Sequence, residues 1–310
     1  MSNSLYTIRN YQPEDFDKYV LLHTEAEKLE PTGRCLSPQV IAERLGQPNY
    51  SPEQDLFVIE IDGDIIGYMD VKPELGIGRV ILDCWVHPEH RRRGLATKLL
   101  GCAINRAKEL RAKVAHINIV EGNVVAKRVL SRLGFSLVRR FLELRLDIAD
   151  VRWPDINQAA LECCYLRRGE EDKLTQIQNR AFAGHWGYNP NTVEEITYKT
   201  NLSDCSPEDV ILARDEDKIV GFCSTRVASE GGAASDEREG RIHMIGVAPD
   251  YRGRGAGKKL LLAGLTHLKN KGVRVAGLFV DSENKTACAL YKSIGFKVQT
   301  NSLWYEKAID

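Results

Sequence analysis

No stretch of eighteen apolar residues occurs in the 310-residue chain, which excludes a membrane-spanning helix. The opening MSNSLYTIRNYQ has no apolar core of a secretory signal. Net charge is missing too. The 43 Lys+Arg balance 43 Asp+Glu, so no overall field draws the molecule to nucleic acid or membrane. The eight cysteines include no C-x-x-C pair, which removes a common zinc and redox spacing. Adjacent Cys163 and Cys164 are poorly placed to bridge, and all eight read as reduced thiols of a cytoplasmic protein. What remains, 43% hydrophobic and 28% charged, is an ordinary globular balance, and the length suits two domains.

What is present is concentrated basic charge beside glycine. Ile242 to Val247 is apolar and β-branched, as a buried strand requires. Ala-Pro-Asp ends it, because proline cannot donate to a ladder. Arg252, Gly253, Arg254, Gly255, Ala256, Gly257 and Lys258 follow, and then an amphipathic run to Lys271. Such a loop aims backbone N–H groups, a helix N-terminus and two guanidinium groups at one place, which suits a phosphate-bearing ligand. A Walker loop is excluded, since Lys259 stands where Ser or Thr is needed. A dinucleotide fingerprint is excluded by the glycine spacing.

The element occurs twice. Val86-His-Pro-Glu-His-Arg-Arg-Arg-Gly-Leu-Ala-Thr-Lys repeats it 161 positions earlier (247 − 86). The displacement holds without a gap: Arg91 matches Arg252, Gly94 matches Gly255, Asn123 matches Asn284, and Gly134-Phe135 matches Gly295-Phe296. Internal repetition of this length makes the chain a tandem of one fold. The periodicities predict β-α-α-β-β-β-α-β-α-β in each half, an α/β mixed sheet with helices on both faces. The boundaries fall at 1–147 and 161–310, with 148–160 as linker. Ser229 to Gly240 reads as a polar, flexible loop.

The pattern V-x-P-x-x-R-x-x-G-x-[GA], followed by N-x-x-A-x-x-x-[YL]-x-x-x-G-F, resembles the GNAT superfamily of N-acetyltransferases over essentially the whole chain. The resemblance implies two tandem acyl-CoA N-acyltransferase domains. It implies acetyl-CoA as donor, an amine acceptor and direct attack, with no metal and no covalent enzyme intermediate. It places residues 252–258 on the CoA pyrophosphate, with Ile245 and Val247 offering strand backbone groups to the pantetheine and acetyl carbonyl. The Val247 N–H would polarise that carbonyl. Asn284, with Ala287 beside it, would touch the pantetheine arm. Tyr291 would protonate the departing thiolate. Val86, Arg91, Arg92, Arg93, Gly94, Leu95, Ala96 and Asn123 are the corresponding cofactor positions of the first half.

The halves differ where chemistry would occur. Leu130 stands at the place of Tyr291, and leucine donates no proton. Arg92 replaces Gly253, and Ala96 replaces Gly257. The second half is therefore expected to be catalytic and the first degenerate. For the general base, His243 and Glu239 are the candidates; with strict alternation 239, 241, 243 and 245 share one face. His185, Trp186 and Tyr188 form an aromatic loop that either orients an amine acceptor or plugs a helix end. The expected function is acetylation of a small-molecule amine by a monomer or homodimer. A non-catalytic CoA-binding module and a protein N-terminal or lysine acetyltransferase are the alternatives.

Overall fold

A computed structural model of the chain describes residues 6–31, 36–151, 153, 161–227 and 238–309. The expected flexible loop at 229–240 lies mostly outside these residues, as do positions 154–160 of the expected linker. The chain divides into two compact units, residues 1–139 with 302–310, and residues 140–301.

The first unit contains β1 (Thr7–Asn10), α1 (Phe16–Leu29), α2 (Pro38–Leu45), the short α3 (Pro52–Asp55), β2 (Leu56–Ile61), β3 (Asp64–Glu74), β4 (Arg79–Val86), α4 (Leu95–Glu109), β5 (Val114–Val120) and α5 (Val124–Arg132). Pro38 opens α2 with the Ser37 hydroxyl capping the Val40 N–H, the arrangement a first turn favours. The run Leu56-Phe-Val-Ile is buried at every position because both sheet faces are covered. Leu56 and Val58 pack with Tyr19, Leu22 and Ile41 of α1 and α2. Phe57 and Ile59 pack with Leu95 and Leu99 of α4 and Leu130 of α5.

The second unit begins within β6 (Ser136–Asp147). It continues through β7 (Glu162–Tyr165), α6 (Glu171–Phe182), α7 (Val193–Thr200), β8 (Val210–Asp215), β9 (Lys218–Val227), β10 (Glu239–Val247), α8 (Ala256–Asn270), β11 (Val275–Asp281) and α9 (Lys285–Ile294), with β12 (Lys297–Ala308) closing the chain. The two-sided pattern recurs: Val210 and Leu212 face Leu174 and Ile177 of α6, while Ile211 and Ala213 face Leu260 and Leu265 of α8. The displacement of 161 places β5 on β11, α4 on α8 and β6 on β12, residue for residue at their starts. In each unit one strand pair is parallel, β4 with β5 and β10 with β11, and the other recorded pairings are antiparallel.

The units do not coincide with the halves as they run in sequence. The strand order of the first unit is β1-β2-β3-β4-β5-β12, and that of the second is β6-β11-β10-β9-β8-β7. Ser302 to Ala308 of β12 pair with Val120 to Val114 of β5, and Phe141 to Asp147 of β6 pair with Asp281 to Val275 of β11. Each sheet is thus completed by the last strand of the other half, in the same register. A repeat makes this exchange available, because β6 and β12 present equivalent edges to either neighbour. The stretch expected to link independent halves is also partly core: Ile148 is 2% exposed and Val151 6% exposed in the second unit.

This exchange predicts that residues 1–153 and 154–310, co-expressed as separate chains, elute together from a sizing column as one complex. Two folded monomers eluting apart would contradict it.

Candidate functional site

The site of the second unit begins where two strands part. β10 and β11 pair only from Glu239 to Arg241, opposite Val275 to Gly277. Beyond that point β10 pairs with β9 alone, and β11 pairs with β6 alone. The Ala248 N–H donates to Val220 of β9 (2.8 Å). By strand alternation the N–H groups of Val247 and Ile245 therefore point away from β9, into the opening.

Past Val247 a short turn, Pro249–Tyr251, leads into the basic loop. Gly253 (φ 74°) and Gly255 (φ 83°) are left-handed, the conformation that glycine adopts without strain. The backbone N–H groups of residues 253–258 donate to no acceptor among the described residues; the first helical bond is Lys259 N–H to Gly255 O (3.0 Å). Unpaired amides converging at the N-terminus of the fifteen-residue α8 form an anion cradle.

Arg252 does not reach into that cradle. Its Nε donates to Val247 O (3.1 Å) and its Nη2 to Ala181 O (2.7 Å), so it pins the loop to the strand end and to α6. Arg180 of α6 pairs with Asp250 of the turn and adds a second tie. Gly246 allows this approach, since a Cβ there would meet Phe182, Phe222 and Ala181 at 2.8–2.9 Å. Arg254 is exposed, lies over the Tyr251 ring (5.6 Å) and has no carboxylate partner among the described residues.

The first unit repeats the backbone and alters the electrostatics. Strands β4 and β5 part after Leu82 and Ile117, and Arg92 (φ 65°) and Gly94 (φ 76°) reproduce the two left-handed positions. A cradle is thus retained even where arginine replaces glycine. Ala96 replaces Gly257 without difficulty, because a Cβ at Gly257 meets only ordinary contacts from 3.5 Å outward. Arg91, however, is consumed. Its Nε donates to Val86 O (2.8 Å), and Nη1 and Nη2 form a bidentate pair with Glu30 (2.7 and 2.6 Å). Trp85, at the place of Gly246, donates to the same carboxylate (2.8 Å). Glu30 cancels the charge of Arg91, whereas Arg252 meets only neutral carbonyls.

Comparison with known proteins agrees with this doubled arrangement. The pattern of the acetyltransferase (GNAT) family matches residues 20–135 and again 172–296. The chain belongs to the GNAT family of acetyltransferases. It is 28% identical over 295 residues to the mycothiol acetyltransferase of Amycolatopsis mediterranei, covering 91% of this chain and 96% of that one. It is 30% identical over 295 residues to that of Actinosynnema mirum, covering 92% and 93%. Among solved structures, a GCN5-related N-acetyltransferase from Sphaerobacter thermophilus superposes with TM-score 0.72 at 23% identity, over 98% of this chain and 96% of that one. A tandem GNAT protein from the clavulanic acid biosynthesis pathway does so with TM-score 0.73 at 15% identity, over 99% of each. The protein is an acetyl-CoA-dependent N-acetyltransferase built from two GNAT domains.

The acetyltransferase's other predicted residues divide between site and scaffold. Tyr291 on α9 is 6% exposed, packed in the second-unit core with its ring edge on Phe296 (5.9 Å). Burial, with Cys223 and Cys288 nearby, holds its hydroxyl protonated well above the ordinary tyrosine value. That hydroxyl makes no hydrogen bond to the described residues, and it is not among the fully buried polar atoms left unpaired. Asn284 is the N-cap of α9, its Oδ1 accepting the Ala287 N–H (3.1 Å), as Asn123 accepts Ala126 (2.9 Å). Leu130 is buried in the first core at the place of Tyr291.

The two general-base candidates are displaced. β10 carries a bulge at His243, since Ile242 and Met244 oppose consecutive residues Thr225 and Ser224. The expected shared face therefore breaks: Ile242 packs on the α8 core, Met244 on the α6 core, and Ile245 on the α8 core again. His243 is exposed at its tip yet crowded by protein, which with Arg226, Lys199 and Arg241 pushes its pKa down to about 4. It also lies four residues, about 13 Å, from Val247 along the strand. Glu239 lies about 26 Å away on the same count and is paired with Arg145. Neither is within direct reach of Val247.

Sequence reasoning separated the aromatic loop too little. Tyr188 is scaffold, stacked on Phe182 (5.2 Å), donating to Asn179 (2.7 Å) and accepting from Asn191 (3.0 Å). Trp186 lies against Phe141 of β6 (6.0 Å). His185 is exposed, with its ring edge on Phe182 (5.1 Å). Desolvation and then the charge of Arg252 lower its pKa, while Asp281 at the end of β11 opposes them. No local pattern in the sequence brings Phe141 of β6 to this loop. Among the described residues no cluster of His, Cys, Asp and Glu is arranged to hold a metal. The seven described cysteines are free thiols, and no described helix is long and apolar enough to cross a membrane.

Arg252→Ala strands two carbonyls, so we expect it to cost about 1 kcal/mol in urea unfolding. Arg254→Ala loses only an exposed stacking contact with Tyr251 and should stay within about 0.5 kcal/mol of wild type. It should nonetheless raise the KM for acetyl-CoA severalfold. The opposite pattern would reverse the roles assigned to the two arginines.

Proposed function

We propose that the second unit performs the transfer of acetyl to the primary amine of a small molecule. The observation that carries this reading is Tyr291, a largely buried tyrosine whose hydroxyl is not bonded to protein, on the helix that follows the splayed strand β11, in the unit whose loop arginine keeps its charge. Acetyl-CoA supplies an acetyl group already activated as a thioester. The unpaired N–H groups of residues 253–258 fit its pyrophosphate, with Arg254 and Lys258 adding charge at the rim. Ile245 and Val247 would direct backbone groups along the pantetheine arm, beside Asn284 and Ala287. The Val247 N–H is aimed where a thioester carbonyl would accept it.

The amine arrives protonated near neutral pH and has to lose a proton. His185 is assigned this role, because it is exposed on the loop that follows α6 and its lowered pKa favours the neutral imidazole. Trp186 supplies an apolar wall for the acceptor. Tyr291 donates a proton to the thiolate leaving group, and Leu130 leaves the first unit without that donor. Residues 92–97 offer the first unit a weaker cofactor cradle whose arginine is neutralised by Glu30. The acceptor of the mycothiol acetyltransferases is the first member of the amine panel to test.

Tyr291→Phe should lower kcat by about tenfold or more with the fold intact by circular dichroism, while Leu130→Met changes it little. Equal effects from both would refute the division of labour between the units. The pH profile tests His185. Its neutral form is the active one and its pKa lies below the ordinary value of 6.5, so kcat/KM should fall only on the acid side of that value. His185→Gln should lower the plateau and abolish that limb; an unchanged limb would reassign the base.

A further inference from the structure

The first unit contains a cavity of about 300 Å³ that the transfer reaction does not use. It lies between α1, α2 and the face of β3 and β4 opposite α4, and its size is at the lower end of small-ligand sites. Asp70 of β3 and Asp83 of β4 are direct cross-strand partners, so their side chains leave the sheet on one face. Like charges in that position destabilise a sheet. Each accepts one tyrosine hydroxyl: Tyr50 donates to Asp70 Oδ1 (2.8 Å), and Tyr68 to Asp83 Oδ2 (3.0 Å). Neither carboxylate has a hydrogen-bonded cation among the described residues.

Cations are nevertheless present. Lys72 and Arg44 line the same cavity, and neither donates to an acceptor among the described residues. Opposite charges thus face one space without closing on each other. The wall between them is aromatic. Tyr19 is 6% exposed and lines the cavity. The His23 ring lies 4.6 Å from the Tyr19 ring and 5.0 Å from that of Tyr68. Burial keeps that imidazole neutral and pushes the Asp70 carboxyl up to about 6. Rings beside carboxylates favour an ammonium group.

We propose that this cavity binds a small zwitterion of the amino-acid type, its ammonium held by Asp70 and Asp83 and its carboxylate by Arg44 and Lys72. The site is one of binding rather than transfer. Trp85 and the Glu30–Arg91 pair stand at the end of β4 near Val86, and the first unit has Leu130 in place of a proton donor. Occupancy stabilises the folded chain by mass action.

The test uses the full chain, with calorimetry and thermal melts against L-alanine, L-serine and L-glutamate, and with ethylamine and acetate as singly charged controls. At least one amino acid should give saturable heat and raise the melting temperature. Asp70→Asn and Lys72→Met should each weaken that binding by about thirtyfold while acetyl-CoA turnover persists. Should Asp70→Asn fail to fold, Asp83→Asn, at an exposed position, serves in its place. No heat from any amino acid at about 10 mM, equal binding of ethylamine or acetate, or unchanged binding in the variants would each overturn the proposal.

Discussion

The chemistry of this protein depends on a parallel strand pair that stops pairing early. β10 and β11 share three residue pairs and then diverge, which leaves strand amides with no partner inside the sheet. A backbone N–H that is neither paired nor solvated is costly, so an opening of this kind is stable only if water or a ligand fills it. The loop that follows extends the same deficit: left-handed glycines and a helix start leave a second set of amides unpaired. Opening and cradle are one continuous strip of unsatisfied donors, suited to an elongated ligand rich in acceptors and ending in phosphates.

Holding that strip open takes side chains that never touch a ligand. Arg252 ties the loop to Val247 and to α6, and Gly246 removes the side chain that would keep α6 away. In the first unit one change propagates. A tryptophan at the glycine position recruits Glu30, and Glu30 then takes the arginine. The backbone of the two loops is nearly the same, yet one arginine retains its positive charge towards the opening and the other does not. A duplicated fold diverges most readily through such partners, because backbone geometry is shared by many contacts and a single ion pair is not.

The first unit also gathers polar groups around one space. Paired acids on adjacent strands, Tyr19 and two cations surround one cavity. A half with leucine at the place of Tyr291 can keep a pocket, because the residues that line the pocket lie on α1, α2, β3 and β4 and Leu130 lies on α5.

The sequence by itself determined the family, the duplication, the order of elements and the loop, since each rests on local pattern: period, glycine, proline and a constant displacement of 161. Leu130 against Tyr291 was equally legible. Tertiary structure alone decided which last strand completes which sheet, because β6 and β12 are equivalent in register and local sequence cannot tell a neighbour from its twin. It alone decided that Arg252 braces the loop, that a bulge turns His243 away from the face of Ile245, and that Tyr188 is scaffold while His185 is exposed. Each of these depends on where a side chain finds its partner, and those partners lie tens of residues away in the chain.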